Sequence, residues 1–266
     1  MPVEISQEAF RAACAAVHGG DDGGVGTLAE KTVHAVLKHC CAPYADSREV
    51  SIGGYIADAV GEEGIIEIQT AGFCRMRKKL EVFLSACPVT VVWPCVERLW
   101  LRTVDSFGEA GPRRRSPKRQ VPAGLFRELY GLGELVGAPG LRFKVVRLEA
   151  EELRSAEKVR RKGHWPGYEK IDRYPIALLG EVDIGSPDEL WKLLPEMPEQ
   201  FPVEMTAAEF AALTGLGTDI GRMALKVFCR CGLAEETGKR GRARVYALPG
   251  SEKYSRETEY GGNRTD

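Results

Sequence analysis

Residues 49–70 read EVSIGGYIADAVGEEGIIEIQT. The pattern predicts a strand from Glu49 to Val60, a turn at residues 61–64 and a second strand from Ile65 to Thr70, joined tightly enough for a hairpin. Side chains two apart on a strand share a face. Glu67 and Gln69 therefore point the same way, and the turn sets Asp58 across from them. Two carboxylates on neighbouring strands supply hard oxygen ligands at short range, the donor type that Mg2+ or Mn2+ prefers. A cation held there would lower the pKa of a bound water and offset charge at a phosphate. Gln69, beside it, could orient that water by hydrogen bonds. Glu62 and Glu63 fall in the turn and read as solvated.

Working outward, Ala9 to His18 reads as a short amphipathic helix and Gly19 to Gly26 as a flexible turn. Thr27 caps a second helix, with Glu30 three residues later as in a capping box. Its apolar residues Leu28, Val33, Val36 and Leu37 recur at helical spacing, and it ends before Pro43. His34 and His39, five apart, lie on different faces and read as ordinary helix residues. After the hairpin, Arg75 to Leu84 is a helix with Arg75, Lys78 and Lys79 on its polar face. Pro88 to Pro94, PVTVVWP, reads as a buried strand, and Glu97 to Val104 as an exposed one. Leu125 to Val136 is a helix and Leu141 to Leu148 a strand. The polar stretch from Glu151 to Tyr174 reads as an ordered loop with some helix. This is a mixed α/β domain covering residues 1–183.

The order helix, acid strand, acid strand, basic helix, buried strand resembles the PD-(D/E)xK nuclease superfamily. Asp58 matches its first acid, and Glu67-Ile68-Gln69 matches its (D/E)-x-K element with glutamine in place of lysine. Ala57 stands where the family's proline would be, and Glu30 matches the extra acid some members carry near the metal. The resemblance implies a restriction-endonuclease-like mixed sheet flanked by helices. It implies catalysis by Asp58, Glu67, Gln69 and Glu30, with the metal on Asp58 and Glu67, and possible homodimers. Lysine would bring a positive charge, whereas Gln69 brings only hydrogen bonds, so the match speaks more for the fold than for the chemistry. The longer stretch EIQTAGFCRMRKKLEVFLSACPVTVVWP, with RRRSPKR and FRELY, is similar to a group of uncharacterised bacterial proteins that join this core to a C-terminal winged helix.

The C-terminal third has a different character. Pro187 to Leu194 predicts a short helix, and Thr206 caps another over Ala207 to Leu213. Thr218 or Asp219 caps a longer helix, Ile220 to Cys231. Two short strands, Leu233 to Glu236 and Arg242 to Leu248, follow. Helix, turn, helix and a two-strand wing make a winged helix over residues 184–250, and the polar tail 251–266 reads as disordered. On duplex DNA, Arg222, Lys226 and Arg230 would share the groove-facing side of the long helix. Lys239, Arg240, Arg242 and Arg244 on the wing would meet phosphates.

Global charge is uninformative, with a formal net of −1 over 266 residues. Its distribution says more, because Arg113, Arg114, Arg115, Lys118 and Arg119 crowd one loop and residues 221–248 hold seven basic and two acidic side chains. Such clusters focus fields for a polyanion. The eight cysteines show no CxxC spacing and read as reduced core residues of a cytoplasmic protein. No apolar run is long enough to cross a bilayer. The residues thus point to two functions: a Mg2+- or Mn2+-dependent deoxyribonuclease delivered to DNA by its winged helix, or an inactive nuclease scaffold serving as a DNA-binding regulator. An RNA or protein partner is the third possibility.

Overall fold

The structure, a computed structural model, describes residues 4–18, 32–159 and 167–249. Glu30, the Thr27 cap, the turn expected over Gly19 to Gly26 and the tail from 251 lie outside the described residues. The chain divides into two compact units. Residues 1–122 and 139–183 form one, and residues 123–138 group with 184–266 in the other.

The first unit is built on a mixed seven-stranded sheet flanked by helices. Its strands are β1 (Arg48–Ile52), β2 (Tyr55–Gly61), β3 (Gly64–Ile68), β4 (Val89–Val104), β5 (Arg114–Arg115), β6 (Leu141–Val159) and β7 (Gly167–Ile184). They run in the order β1-β2-β3-β4-β6-β7, with β5 also on β4. β1, β2 and β3 are antiparallel neighbours, whereas β3, β4 and β6 are parallel. Helix α1 (Gln7–His18) and helix α2 (Thr32–Cys41) pack one apolar set against the sheet. That set joins Phe10, Val36 and Leu37 to Ile66, Ile68, Val92 and Val146. Helix α3 (Arg77–Ala86), entered through a 3-10 turn at Phe73–Met76, buries Leu80 and Phe83.

The structure corrects several expectations. The strands expected over 88–94 and 97–104 are one, β4, with Leu99 and Leu101 buried, and the helix expected over Leu125 to Val136 ends at Leu132 in a 3-10 turn. The strand expected over residues 49–60 is two strands, because Gly53 and Gly54 both take positive φ, 57° and 83°, and turn the chain back. Within the stretch from Glu151 to Tyr174, the described residues are strand instead of loop and helix, residues 160–166 lying outside them. β6 runs to Val159 and β7 starts at Gly167. Charged side chains hid this pairing, since they satisfy one another on the sheet instead of facing water. Arg173 and Arg154 both grip Glu152, which is 3% exposed. Tyr174 donates to Glu151, and Arg102 and Arg113 pair with it at 3.1 Å.

β4 has two edges, and their use organises the unit. β6 follows one edge from Val89 to Val104. On the other edge β3 pairs at Val89–Val92, and β5 pairs further along at Trp100 and Leu101. β3 and β5 therefore lie in line along β4.

The second unit contains α4 (Leu125–Leu132), α5 (Ala207–Leu213) and α6 (Thr218–Arg230), with a small sheet of β8 (Met205–Thr206), β9 (Glu235–Arg240) and β10 (Ala243–Ala247) in the order β8-β10-β9. Thr206 and Glu209 form the reciprocal capping box at the start of α5. An aromatic core closes around Phe228, with Trp191 at 4.5 Å, Phe126 at 5.6 Å and Phe210 at 6.0 Å between ring centroids.

Gly221 is where α5 and α6 touch. A Cβ there would meet the Ala211 Cβ at 2.8 Å and the Ala207 carbonyl at 3.3 Å. Overpacking of this kind costs about 1–3 kcal/mol, against about 1 kcal/mol or less returned by alanine's better helix propensity. Gly221→Ala should therefore lower the denaturant midpoint of unfolding, and an unchanged or raised midpoint would show that the crossing is loose.

Candidate functional site

The β2–β3 ladder is regular only from Gly61/Gly64 to Ala59/Ile66. One residue further on, side chains take over the cross-strand bonding. The Asp58 amide donates to Glu67 Oε1 at 3.1 Å, and the Ile68 amide donates to Asp58 Oδ2 at 2.8 Å. Asp58 and Glu67 thus converge, each carboxylate accepting from the backbone of the opposite strand. On its other side β3 stays in register with β4, Glu67 opposite Val91. Glu67 is therefore anchored on a buried parallel pair while Asp58 sits where the hairpin opens.

Two neighbours come from helices. His34 Nε2 of α2 lies 3.2 Å from Asp58 Oδ2, and Lys79 Nζ of α3 donates to Glu67 Oε2 at 2.6 Å. Neither was assigned to the site from the sequence, where His34 read as an ordinary helix residue and Lys79 as part of a polar helix face. The spacing that set His34 and His39 on separate faces was sound, but it took the sheet to show which face met an acid. His39 instead accepts from Arg48 Nη1 at 2.6 Å. The Lys79 ammonium lies 5.3 Å from the Phe83 ring centre, so its stem runs along the apolar face while its charge reaches Glu67.

The electrostatics separate the two acids. Burial pushes Asp58 upward, but the hydrogen bond and charge of His34, the Ile68 amide and Lys79 outweigh it and hold the carboxyl below its ordinary value. Burial raises Glu67, the charge of Asp58 adds to it, and Lys79 and the Asp58 amide offset only part. Glu67 is 3% exposed, so an ionised carboxylate there depends on positive partners.

Gln69 is half-buried, and its Nε2 donates to the Ala71 carbonyl at 2.6 Å, which turns the amide into its own loop. Among the described residues no group of three or more His, Cys, Asp or Glu is arranged to hold a metal ion. The oxygen pair still fits a hard divalent cation. Asp58 Oδ1 carries no hydrogen bond among the described residues, and Mg2+ keeps several waters beside one or two carboxylates. The cysteines are free, and burial pushes the thiols of Cys40, Cys41 and Cys95 up to about 12, which suits inert core residues.

The basic residues fare unequally. Lys226 pairs with Glu236 at 2.7 Å and lies over the Tyr246 ring. Arg230 stacks on the Tyr130 ring, donates to the Tyr130 carbonyl at 2.9 Å and pairs with Glu134 at 3.4 Å. Arg222 is exposed beside Asp219, and Arg240 and Arg244 are exposed partners of Glu209 and Glu236. Lys239 and Arg242 are exposed with no ion pair among the described residues. Arg113 is held by Glu149 and Glu151 and stacks on Trp100 at 4.2 Å. Arg114, Arg115, Lys118 and Arg119 are exposed.

No helix among the described residues is long and apolar enough to cross a membrane. No solved structure matches the chain. An uncharacterized protein of Treponema pallidum (strain Nichols) is 30% identical over 227 residues, which span 84% of this chain and 86% of the relative. The family model described as "Domain of unknown function (DUF8091)" matches residues 31–185, a span that takes in His34, the hairpin, Lys79 and the basic residues 113–119. The chain belongs to this family.

Proposed function

We propose that the protein hydrolyses DNA phosphodiester bonds with a divalent cation, using a PD-(D/E)xK-like core in its first unit and a winged helix in its second. The observation that carries this reading is the convergence of Asp58 and Glu67 where the hairpin opens, with Lys79 at 2.6 Å from Glu67. The two carboxylates would hold Mg2+ or Mn2+. A cation so bound supplies an acidified water and neutralises charge on the phosphate. Lys79 places an ammonium beside the second acid, a charge that Gln69 lacks. That ammonium can hold Glu67 ionised and meet a phosphate oxygen. His34 holds the Asp58 carboxyl in place. In the second unit, α6 and the β9–β10 hairpin would approach DNA, with Lys239 and Arg242 the cations freest for phosphate.

A second reading has its own observation. Asp58 is already paired with His34 and Glu67 with Lys79, as in a scaffold whose acids are satisfied without metal. The protein would then be a DNA-binding regulator.

Supercoiled plasmid separates the two. Incubation with Mg2+ or Mn2+ should give nicked and linear DNA, EDTA should stop it, and Asp58→Asn should remove it while DNA binding persists. Identical traces for wild type and Asp58→Asn would sink the nuclease reading.

A further inference from the structure

The cations of residues 114–119 differ from the paired basic groups of the second unit. Arg114, Arg115, Lys118 and Arg119 are exposed and make no ion pair or side-chain hydrogen bond among the described residues. Their backbone, however, is fixed. Arg115 and Arg114 pair with Trp100 and Leu101. The Ser116 amide donates to the Leu99 carbonyl at 2.8 Å, and the Gln120 amide to the Val96 carbonyl at 3.0 Å. The Val96 amide in turn donates to Gln120 Oε1 at 2.6 Å. Residues 114–120 are thus laid antiparallel along β4, on the edge that β3 occupies lower down. Arg113, next in the chain, spends its charge on Glu149 and Glu151 and anchors the end of the ribbon.

The position of this ribbon relative to the carboxylates follows from strand geometry. Glu67 lies opposite Val91. The ribbon begins at Val96 and ends at Leu101 on the same strand and the same edge. At about 3.3 Å per residue, five to ten residues span roughly 16 to 33 Å. Duplex DNA rises about 3.4 Å per base pair, so that span is about five to ten base pairs. A rigid row of unneutralised cations in line with an acidic site suits a stiff, regularly charged rod.

Resting on the nuclease reading for the choice of DNA, we infer that residues 114–119 are a phosphate-binding ribbon. It grips duplex DNA about half a turn to one turn away from the phosphate held at Asp58 and Glu67. It carries more of the salt-dependent affinity than the described part of the second unit does, since most basic side chains described there are already paired.

The test is a salt titration of binding by the full-length protein in EDTA, on a labelled 24-base-pair duplex and on a hairpin with a five-base-pair stem. Removing four cations that each neutralise one phosphate should reduce the slope of log K against log salt by about 3 to 4. The combined variant Arg114→Ala, Arg115→Ala, Lys118→Ala, Arg119→Ala should show that reduction on the long duplex and a much smaller one on the short stem. Lys239→Ala with Arg242→Ala should reduce the long-duplex slope by about 2 at most. An unchanged unfolding midpoint would confirm that the fourfold variant is folded. Equal reductions on long and short DNA, no reduction on either, or no DNA binding by wild type would overturn the inference, as would tighter ribbon-dependent binding of duplex RNA. A ribbon effect without plasmid cleavage by wild type would sink the nuclease reading alone.

Discussion

Glu67→Gln is expected to lower metal-dependent cleavage by about 10²- to 10⁴-fold, the loss when several kcal/mol of charge stabilisation at the reacting phosphate is removed. The substitution keeps size and shape and deletes one charge. The amide can still accept from the Asp58 amide through Oε1, so the hairpin should stay closed. It cannot ligate a cation as a carboxylate does. The effect on stability should run the other way. Burial and Asp58 push Glu67 upward, so its ionised form costs free energy in the fold. Lys79, with a side chain 23% exposed, regains water when its partner becomes neutral. The metal-free variant should therefore unfold at or above the wild-type midpoint. Wild type should also gain about 2.7 kcal/mol at a metal concentration a hundredfold above its dissociation constant, and the variant should lose that gain. A variant that keeps wild-type cleavage, or gains the same stability from Mn2+, would remove Glu67 from the site.

Lys144→Met is expected to cause the largest loss of stability, about 3–5 kcal/mol at neutral pH. Lys144 is 1% exposed on β6, and its ammonium sits 3.0 Å from Glu181 Oε2 and 2.6 Å from Asp183 Oδ1 on β7. Glu181 Oε2 also accepts from the Ile5 amide at 3.3 Å, which ties the N-terminal segment to the sheet. Methionine fills the volume but leaves the largely buried Glu181 beside Asp183 with no cation between them, although Asp183, 39% exposed, keeps contact with water. The sign with pH follows from Glu181. Burial raises it and Asp183 adds to that, with Lys144 as the main opposing influence. Without the lysine its folded-state pKa rises further above the unfolded value. A carboxyl raised in the fold binds its proton more tightly there, so the variant regains stability as pH falls through that raised pKa. Its deficit against wild type, measured by urea unfolding, should shrink between pH 7 and pH 5. An equal deficit at both would assign the loss to packing.

The helices and the acid hairpin were legible because their signals are local. Apolar spacing marks α2 and α3, and Thr206 marks the start of α5. The turn at residues 61–64 was legible too, whereas the Gly53–Gly54 turn was hidden inside an expected strand. The long strands β6 and β7 were illegible for a physical reason. Their stretch from Glu151 to Tyr174 shows charge, not alternating apolar residues, because the buried Glu151 and Glu152 are satisfied by arginines of neighbouring strands and of β6 itself instead of by a hydrophobic face. Among the candidate site residues, Asp58 and Glu67 came together because strand register alone decides it. His34 and Lys79 come from separate helices, and no spacing in the chain says which turn of each faces the sheet. The roles of Lys226 and Arg230 were hidden in the same way, since Glu236, Tyr246 and Tyr130 that hold them come from other elements.

The exchange of bonds between Asp58 and Glu67 gives these acids two independent occupations. They hold the split end of the hairpin together, accepting the amides that a regular ladder would have satisfied. A descendant that lost every trace of cleavage would still unzip on replacing either with alanine. Persistence of the two acids among relatives therefore reports the architecture of the hairpin as much as any chemistry. The exchange that tells an enzyme from a scaffold is the isosteric amide, which keeps an acceptor for the hairpin and removes only the charge.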